Sequence, residues 1–405
     1  MAYERRHERM GEGDTGDTIG AAIASGSAST EVPAPPPAAT GRRSGPRVVL
    51  AHDYLLVMRG AERVFAAIAD LYPRAPILTL LYDEPGTGGR FAGHDVTTSR
   101  LQRLGVRQSS FRRLLPLYPR AVERLRPPPC DVLISSSSAF AHGVRAPRGT
   151  PHLCYCHAPF RYVWNERERA LAEVPAPLRP LLALELRRIR AWDLAASRRV
   201  DRYLANSRLT RDRLRRYYGR EAEIVHPPVE THRFATGEPG EALLVVCELV
   251  DHKRVNVALE AARRTGTPIQ VVGTGPEYAA LREAYPEADF LGRVGDEELA
   301  RLYASARAVL VTSVEEFGIT AVEAQAAGRP VIAAGAGGAL ETVLEGQTGL
   351  YARFDDVDSF ARAISALERM PLDPTVAVAN AARFSVESFQ RRIREQVDAL
   401  VDVRG

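Results

Sequence analysis

Short apolar runs alternate with longer helical patterns along most of the chain, and that rhythm restricts the fold more than any single motif. Pro46 to Ala51, Ile77 to Leu81, Asp131 to Ser135, His152 to Cys156 and Arg202 to Ala205 are the first such runs, with helical segments such as Ala61 to Leu71 between them. Parallel strands cannot be joined by a tight turn, so brief apolar runs separated by helical segments read as a parallel sheet with crossover helices. The two prolines of Val225-His226-Pro227-Pro228-Val229 then fix an extended path and read as a linker. Beyond it the rhythm restarts, with strands 242–247, 268–272, 289–291, 307–312 and 330–333 alternating with helices 255–264, 276–284, 296–304 and 320–327. The sequence predicts an α/β protein of two doubly wound, Rossmann-like domains facing across a cleft, where the carboxyl ends of the strands gather a ligand. The predicted boundaries are 46–229, 230–385, and a C-terminal helix within 386–405 that crosses back to the first domain. Residues 1–45, rich in Gly, Ala, Ser, Thr and Pro without apolar periodicity, read as a disordered arm.

Composition narrows the class. No stretch approaches the roughly 18 uninterrupted apolar residues of a membrane-spanning helix. The segment Met1-Ala2-Tyr3-Glu4-Arg5-Arg6-His7-Glu8-Arg9 has no apolar run behind it to act as a secretory signal, so a cytoplasmic protein is expected. Residues 46–229 carry 31 arginines against 17 acids, whereas residues 230–405 carry 18 bases against 27 acids. Opposite fields suggest two facing domains, the basic one meeting something anionic; nucleic acid is not among the expected partners. Two basic amphipathic stretches, Arg107 to Arg126 and Leu178 to Arg190, could lie on anionic lipid at the inner face of the membrane. The preferred reading is a solvated arginine face with leucines packed behind it. Cys154 and Cys156 alternate with Leu153 and Tyr155 and read as one side of a buried strand. A metal site with His152 and His157 is disfavoured, because structural zinc sites place two to four residues between paired cysteines.

Of 54 basic residues, Lys253 alone is lysine. It follows the apolar run Leu243 to Val246 and precedes the helical pattern Val255 to Arg263. A compact ammonium at a strand's carboxyl end, entering a helix N-terminus, suits a diphosphate. The second segment of interest runs Val309 to Ala324: a strand, a turn holding Glu315, Glu316, Phe317 and Gly318, then a helix bearing Glu323. Such a turn offers backbone N–H groups, while carboxylates accept hydrogen bonds from neutral hydroxyls. Carboxylates beside a phosphate site otherwise repel, so their presence argues for sugar or ribose hydroxyls next to the phosphates.

This ordered set resembles family 4 of the retaining, nucleotide-sugar-dependent glycosyltransferases of GT-B architecture, over about residues 46–402. Glu315 and Glu323, with Phe317-Gly318 between them, match the family's glutamate pair; Lys253 matches its diphosphate lysine and Gly273-Thr274-Gly275-Pro276 its glycine turn. In the first half, Gly60-Ala61-Glu62-Arg63-Val64, Leu115 to Ala121, Cys154 to Tyr162 and Ala205-Asn206-Ser207 look like the subgroup that includes bacterial polysaccharide mannosyltransferases. The resemblance implies that Glu323 holds the ribose hydroxyls and Glu315 a sugar hydroxyl. It implies that Phe317, Gly318 and Ile319 cradle sugar and diphosphate, that Gly60 lies at the donor site, and that Lys253 neutralises the leaving phosphate. His157 would border the reacting sugar, and Gly292-Arg293 would lie where the base binds. The implied donor is GDP-mannose, or else a UDP-linked sugar, the acceptor a hydroxyl of a glycan, lipid-linked or small molecule, and no metal or cofactor is implied.

Three positions depart from the pattern. Glu248 stands where the family has an arginine, Arg59-Gly60 where it has two glycines, and Ser138 where the subgroup often has histidine. One expectation is that Arg59 compensates by pairing with Glu248 or reaching the diphosphate; the other is a catalytically silent nucleotide-sugar-binding partner. Glu341 could be the acidic start of a helix or a ligand, and Arg161 could lie on the surface or in the cleft. A GT-B epimerase is the remaining alternative, disfavoured because the paired glutamates fall on one side of the sugar.

Overall fold

The computed structural model describes residues 45–105, 111–367, 369–370 and 373–402. The predicted arm therefore lies outside the described residues, as does the stretch 106–110 of the first basic segment. From Gly45 onward the chain forms one compact unit.

Two parallel sheets organise that unit. The first takes β1 (Val48–His52), β2 (Ile77–Thr79), β3 (Val96–Thr98), β4 (Val132–Ser137), β5 (His152–Cys156), β6 (Arg202–Ala205) and β7 (Ala222–Ile224) in the order β3-β2-β1-β4-β5-β6-β7. The second takes β8 (Leu243–Val246), β9 (Ile269–Val272), β10 (Asp289–Gly292), β11 (Ala308–Val311), β12 (Val331–Ala334) and β13 (Gly349–Ala352) in the order β10-β9-β8-β11-β12-β13. Both are doubly wound, with the order reversing between β1 and β4 and between β8 and β11. Loops leaving the strands there diverge to opposite faces, which opens a crevice at each reversal. Every strand predicted from the sequence is present within a residue or two. β3, β7 and β13 were not predicted; β3 and β7 are three residues long with polar residues among the apolar ones, and β13 is a four-residue stretch that opens on a glycine.

The C-terminal helix Val386–Asp402 does cross back. Phe389, Ile393 and Val397 join Val64, Phe65 and Ile68 of the helix Gly60–Leu71 against Leu50, Ile134 and Tyr155 of the first sheet. Gln390 donates to the Ala67 carbonyl at 3.0 Å, and Gln396 to Glu223 of β7 at 2.7 Å. The predicted linker runs beside this return: Val229 N–H donates to the Phe384 carbonyl at 2.9 Å, so two chain crossings join the halves.

The helix Arg179–Ser197 corrects one expectation. Leu186 and Ile189 pack inward, but Leu178, Leu181 and Leu184 are about half exposed or more, at 53%, 68% and 47%. Leucines occur on both sides of this helix, so the outer face is mixed leucine and arginine rather than arginine alone. Cys154 and Cys156 face one side of β5 together, buried against Tyr203 and Leu214.

Candidate active site

The second-sheet half of the site is built at the β8/β11 reversal. Lys253 ends a single turn, Asp251–Lys253, and its carbonyl accepts from the Thr312 hydroxyl at 2.8 Å, tying the β8 loop to the end of β11. Its Nζ lies 2.5 Å from Glu315 Oε1, an oxygen that also accepts from the Ser313 hydroxyl. Burial by itself would raise the Glu315 carboxyl, but the Lys253 charge and hydrogen bond and the Ser313 hydroxyl overcome it and hold the carboxyl below its ordinary value. Gly318 then takes φ +85°, which lets the chain turn into the helix Ile319–Ala326 with its first N–H groups toward the cleft. A second close approach needs glycine for space: a Cβ on Gly273, at φ +140°, would sit 1.8 Å from the Cys247 carbonyl oxygen at the end of β8.

Glu323 sits in the opposite environment. Burial pushes its carboxyl up, only partly offset by the Tyr303 hydroxyl, which donates to Oε2 at 2.8 Å, and by Arg63 and Arg233. One glutamate of the pair is thus held as a carboxylate against an ammonium, and the other is a half-buried acceptor for the Tyr303 hydroxyl.

The first-sheet half rises from the β1/β4 reversal. His157 directly follows β5; its N–H donates to the Ser137 carbonyl at 2.9 Å and its carbonyl accepts from Asn206 Nδ2 at 2.9 Å and Thr210 Oγ1 at 3.1 Å. Its ring Nε2 meets Ser136 Oγ at 2.8 Å. Burial, then His52 and Arg161, push the imidazole down to about 3, so it is neutral at neutral pH. Asp53, buried at the end of β1, accepts from the N–H groups of Ser138, Ala139, Phe140 and Ala141 at 2.5–3.0 Å and so fixes the loop after β4. The sequence reading missed Asp53, because its partners lie 85 to 88 residues away.

Three acids face three different ways. Glu316 pairs across the cleft with Arg161 at 3.1 Å and Arg213 at 3.0 Å, which places Arg161 in the cleft. Glu341 likewise spans the two halves, accepting from Arg208 N–H at 2.7 Å and meeting His226 Nε2 at 3.0 Å. Glu248, by contrast, is exposed at the cleft, and among the described residues no ion pair joins it to Arg59. The compensating pair expected from the sequence is not formed; Arg59 instead caps the helix Gly60–Leu71, its N–H donating to Glu62 at 3.1 Å.

Two adjoining cavities result. One of about 410 Å³ is lined by Gly60, His157, Lys253, Glu315, Phe317, Gly318 and Ile319 among others, bringing together seven residues singled out from the sequence. The other, about 650 Å³, takes Glu323 with Arg59, Arg63, Arg233 and Asp296; Gly60, Glu248 and Ile319 border both. Gly292 and the exposed Arg293 line neither cavity, and Gly292 instead accepts from Gly273 N–H at 2.8 Å. Arg63 was given no role although it lies in the Gly60 to Val64 motif, and Arg233 was missed because one arginine among so many carries no local signal. A compartment with an ammonium and turn N–H groups, next to a compartment with a half-buried glutamate side chain, can hold a diphosphate flanked by hydroxyl-bearing groups.

Comparison with known proteins bears on the family and the fold. Residues 58–233 match the family described as Glycosyltransferase Family 4, and residues 240–369 match Glycosyl transferases group 1. A D-inositol 3-phosphate glycosyltransferase of Mycobacterium sp. (strain KMS) is 32% identical over 251 residues, 54% of this chain and 55% of the relative. A GDP-mannose-dependent alpha-(1-6)-phosphatidylinositol monomannoside mannosyltransferase of Mycolicibacterium smegmatis is 29% identical over 222 residues, 46% of this chain and 58% of the relative. The chain thus matches about half the length of these curated relatives. Anabaena HepE, solved in complex with UDP, superposes with a TM-score of 0.66 at 18% identity, covering 87% of this chain and 100% of that one. Sucrose-phosphate synthase from Thermosynechococcus elongatus gives 0.65 at 17% identity, covering 88% and 100%. At those identities the likeness is one of fold.

Proposed function

The chain belongs to the family 4 glycosyltransferases, and on that premise we propose that it is a retaining hexosyltransferase using a nucleotide-diphosphate sugar. The donor proposed first is GDP-mannose, supported by the GDP-mannose-dependent relative; a UDP-linked sugar is second. The observation that carries the reading is the pairing of Lys253 with Glu315 at the mouth of the Gly318 turn, with the half-buried Glu323 lining the adjoining cavity. In this assignment Glu323 accepts from the ribose hydroxyls, Glu315 from a sugar hydroxyl, and Phe317, Gly318 and Ile319 offer backbone groups to sugar and diphosphate. His157 borders the reacting sugar from the other sheet.

As the glycosidic C–O bond breaks, negative charge grows on the leaving diphosphate. Lys253 and the first N–H groups of the helix Ile319–Ala326 then stabilise the transition state more than the ground state. In the same-face mechanism that the family implies, the acceptor oxygen bonds to the anomeric carbon and its proton passes to the departing phosphate oxygen. Closure about residues 225–232 would exclude water and suppress hydrolysis. The test is release of GDP or UDP from a panel of nucleotide sugars, in the presence of EDTA, by wild type and Lys253→Met. Release from one donor, lost in the variant, supports the reading; release that needs a divalent ion overturns the assignment of charge neutralisation to Lys253.

One observation favours a second reading. Glu248 borders both cavities where a cation is expected, which suits a silent donor-binding partner; binding without release would identify it. The outer leucine and arginine face of the helix Arg179–Ser197 further supports peripheral contact with an anionic membrane, since apolar side chains beside cations fit a lipid surface of opposite charge. Vesicles containing phosphatidylglycerol should sediment the protein, and Leu181→Ser should abolish this; equal binding to neutral phosphatidylcholine vesicles overturns it.

A further inference from the structure

We infer that a chain of groups, the half-buried Glu62 and the buried His52, Ser136 and His157, fixes the tautomer of His157 so that it presents a bare Nδ1 to the cleft. His52 closes β1 and is in register with Ser136 of β4, so their side chains share one face of the sheet. Ser136 Oγ lies 3.1 Å from His52 Nδ1 and 2.8 Å from His157 Nε2, and His52, Ser136 and His157 are 3%, 1% and 9% exposed. A hydroxyl has one proton, and among the described residues Ser136 Oγ has no third partner. A buried hydroxyl does not leave that proton unused, so it donates to one ring and accepts from the other. The two histidine tautomers are therefore coupled.

Glu62 decides the direction. Its Oε1 lies 3.8 Å from His52 Nε2, its Oε2 accepts the Arg59 N–H, and Phe65 stacks on the His52 ring at 4.7 Å to hold its plane. A carboxylate favours the proton on the nitrogen facing it. Of the two single-proton tautomers of His52, the one with Nε2–H faces the carboxylate and offers a bare Nδ1, which takes the Ser136 proton. The Ser136 oxygen in turn accepts from His157 Nε2–H. His157 is left with Nδ1 unprotonated, and that nitrogen has no partner among the described residues on a side chain that lines the 410 Å³ cavity. Resting on the glycosyltransferase reading, this makes His157 an acceptor for a sugar or acceptor hydroxyl, and Glu62, His52 and Ser136 positioning residues.

The test is long-range ¹H–¹⁵N correlation of the histidine rings in the full chain without ligand, at neutral pH, with His157 assigned through His157→Gln. The expected spectrum shows protonated Nε2 and bare Nδ1. Glu62→Gln places an amide donor toward His52 Nε2, reverses each hydrogen bond in turn and should move the His157 proton to Nδ1; in Ser136→Ala the Glu62→Gln change should no longer reach His157. A wild-type His157 carrying Nδ1–H, or a tautomer unmoved by Glu62→Gln, overturns the inference, and the wild-type spectrum decides even where a variant does not fold. Because the spectrum needs no donor, it stands apart from the proposed activity: an inverted tautomer with unaltered transfer supports the chain of groups and removes only the role of His157 in the reaction.

Discussion

Replacing Glu315 by glutamine should tighten the binding of a nucleoside diphosphate while impairing transfer from the intact nucleotide sugar. Without ligand, Lys253 Nζ is committed to Glu315 at 2.5 Å, so an incoming diphosphate must compete with that carboxylate for the one ammonium at the β8 loop. The two side chains are 21% and 26% exposed, so solvent screens the pair and its strength is about 1 kcal/mol rather than the several expected of a dry pair. Releasing it should improve the Kd of GDP or UDP about fivefold. Removing a negative charge near the phosphates could by itself tighten binding, and a double-mutant cycle separates the two effects. If competition is the cause, Glu315→Gln gains little in a Lys253→Met background. Titration calorimetry on the four proteins reads this directly. Weaker nucleoside diphosphate binding in Glu315→Gln, or the same gain with and without Lys253, would refute the competition.

Three further outcomes follow from the same geometry. His152 and His157 are each pushed down to about 3 by burial from 6.5, so between those values the folded protein binds fewer protons than the unfolded one, and stability falls as pH is lowered. Each histidine costs about 1.4 kcal/mol per pH unit well inside that window; urea midpoints should drop from pH 7.5 to 5, with a shallower fall in His152→Gln, and equal slopes would contradict the assignment. Asp53→Ala leaves four N–H groups without their acceptor and should cost at least about 3 kcal/mol in urea unfolding, with Asp53→Asn intermediate; a loss under 1 kcal/mol would show that the loop does not depend on it. Gly318→Ala meets only ordinary van der Waals contact, with Glu315 Cβ at 3.7 Å, but a left-handed backbone at φ +85°. It should cost about 1–2 kcal/mol in stability and weaken donor binding, and unaltered donor binding would remove the turn from the site.

The sequence carried the sheets because many of their strands are buried on both faces: β11 and β12 are continuous apolar runs, while β1, β4 and β5, also buried throughout, show an apolar core ended by His52, followed by Ser135 to Ser137, and preceded by His152 respectively. It carried Lys253, Glu315 and Gly318 because, in each of the two second-sheet segments that hold them, strand, turn and helix start lie within about a dozen residues of one another. It did not carry Asp53, or the coupling of His52 to Ser136 across 84 residues, because register between strands is a tertiary fact. Glu316 had no reading of its own, and Glu341 read as a helix-start acid or a ligand, until the facing half supplied Arg161, Arg213, Arg208 and His226. The Arg59–Glu248 pairing failed for a related reason: complementary charge in sequence says nothing of side-chain reach, and the Arg59 backbone is engaged at the start of its helix.

The central claim is that the paired cavities bind a nucleotide-sugar donor, with Glu323 on the ribose. Thermal shift and calorimetry with GDP, UDP, GDP-mannose and UDP-glucose, on wild type and Glu323→Ala, test it most directly. The account predicts that one nucleotide family stabilises the wild type and that the effect is lost in Glu323→Ala; stabilisation by none of the four, or an equal effect in the variant, would contradict it.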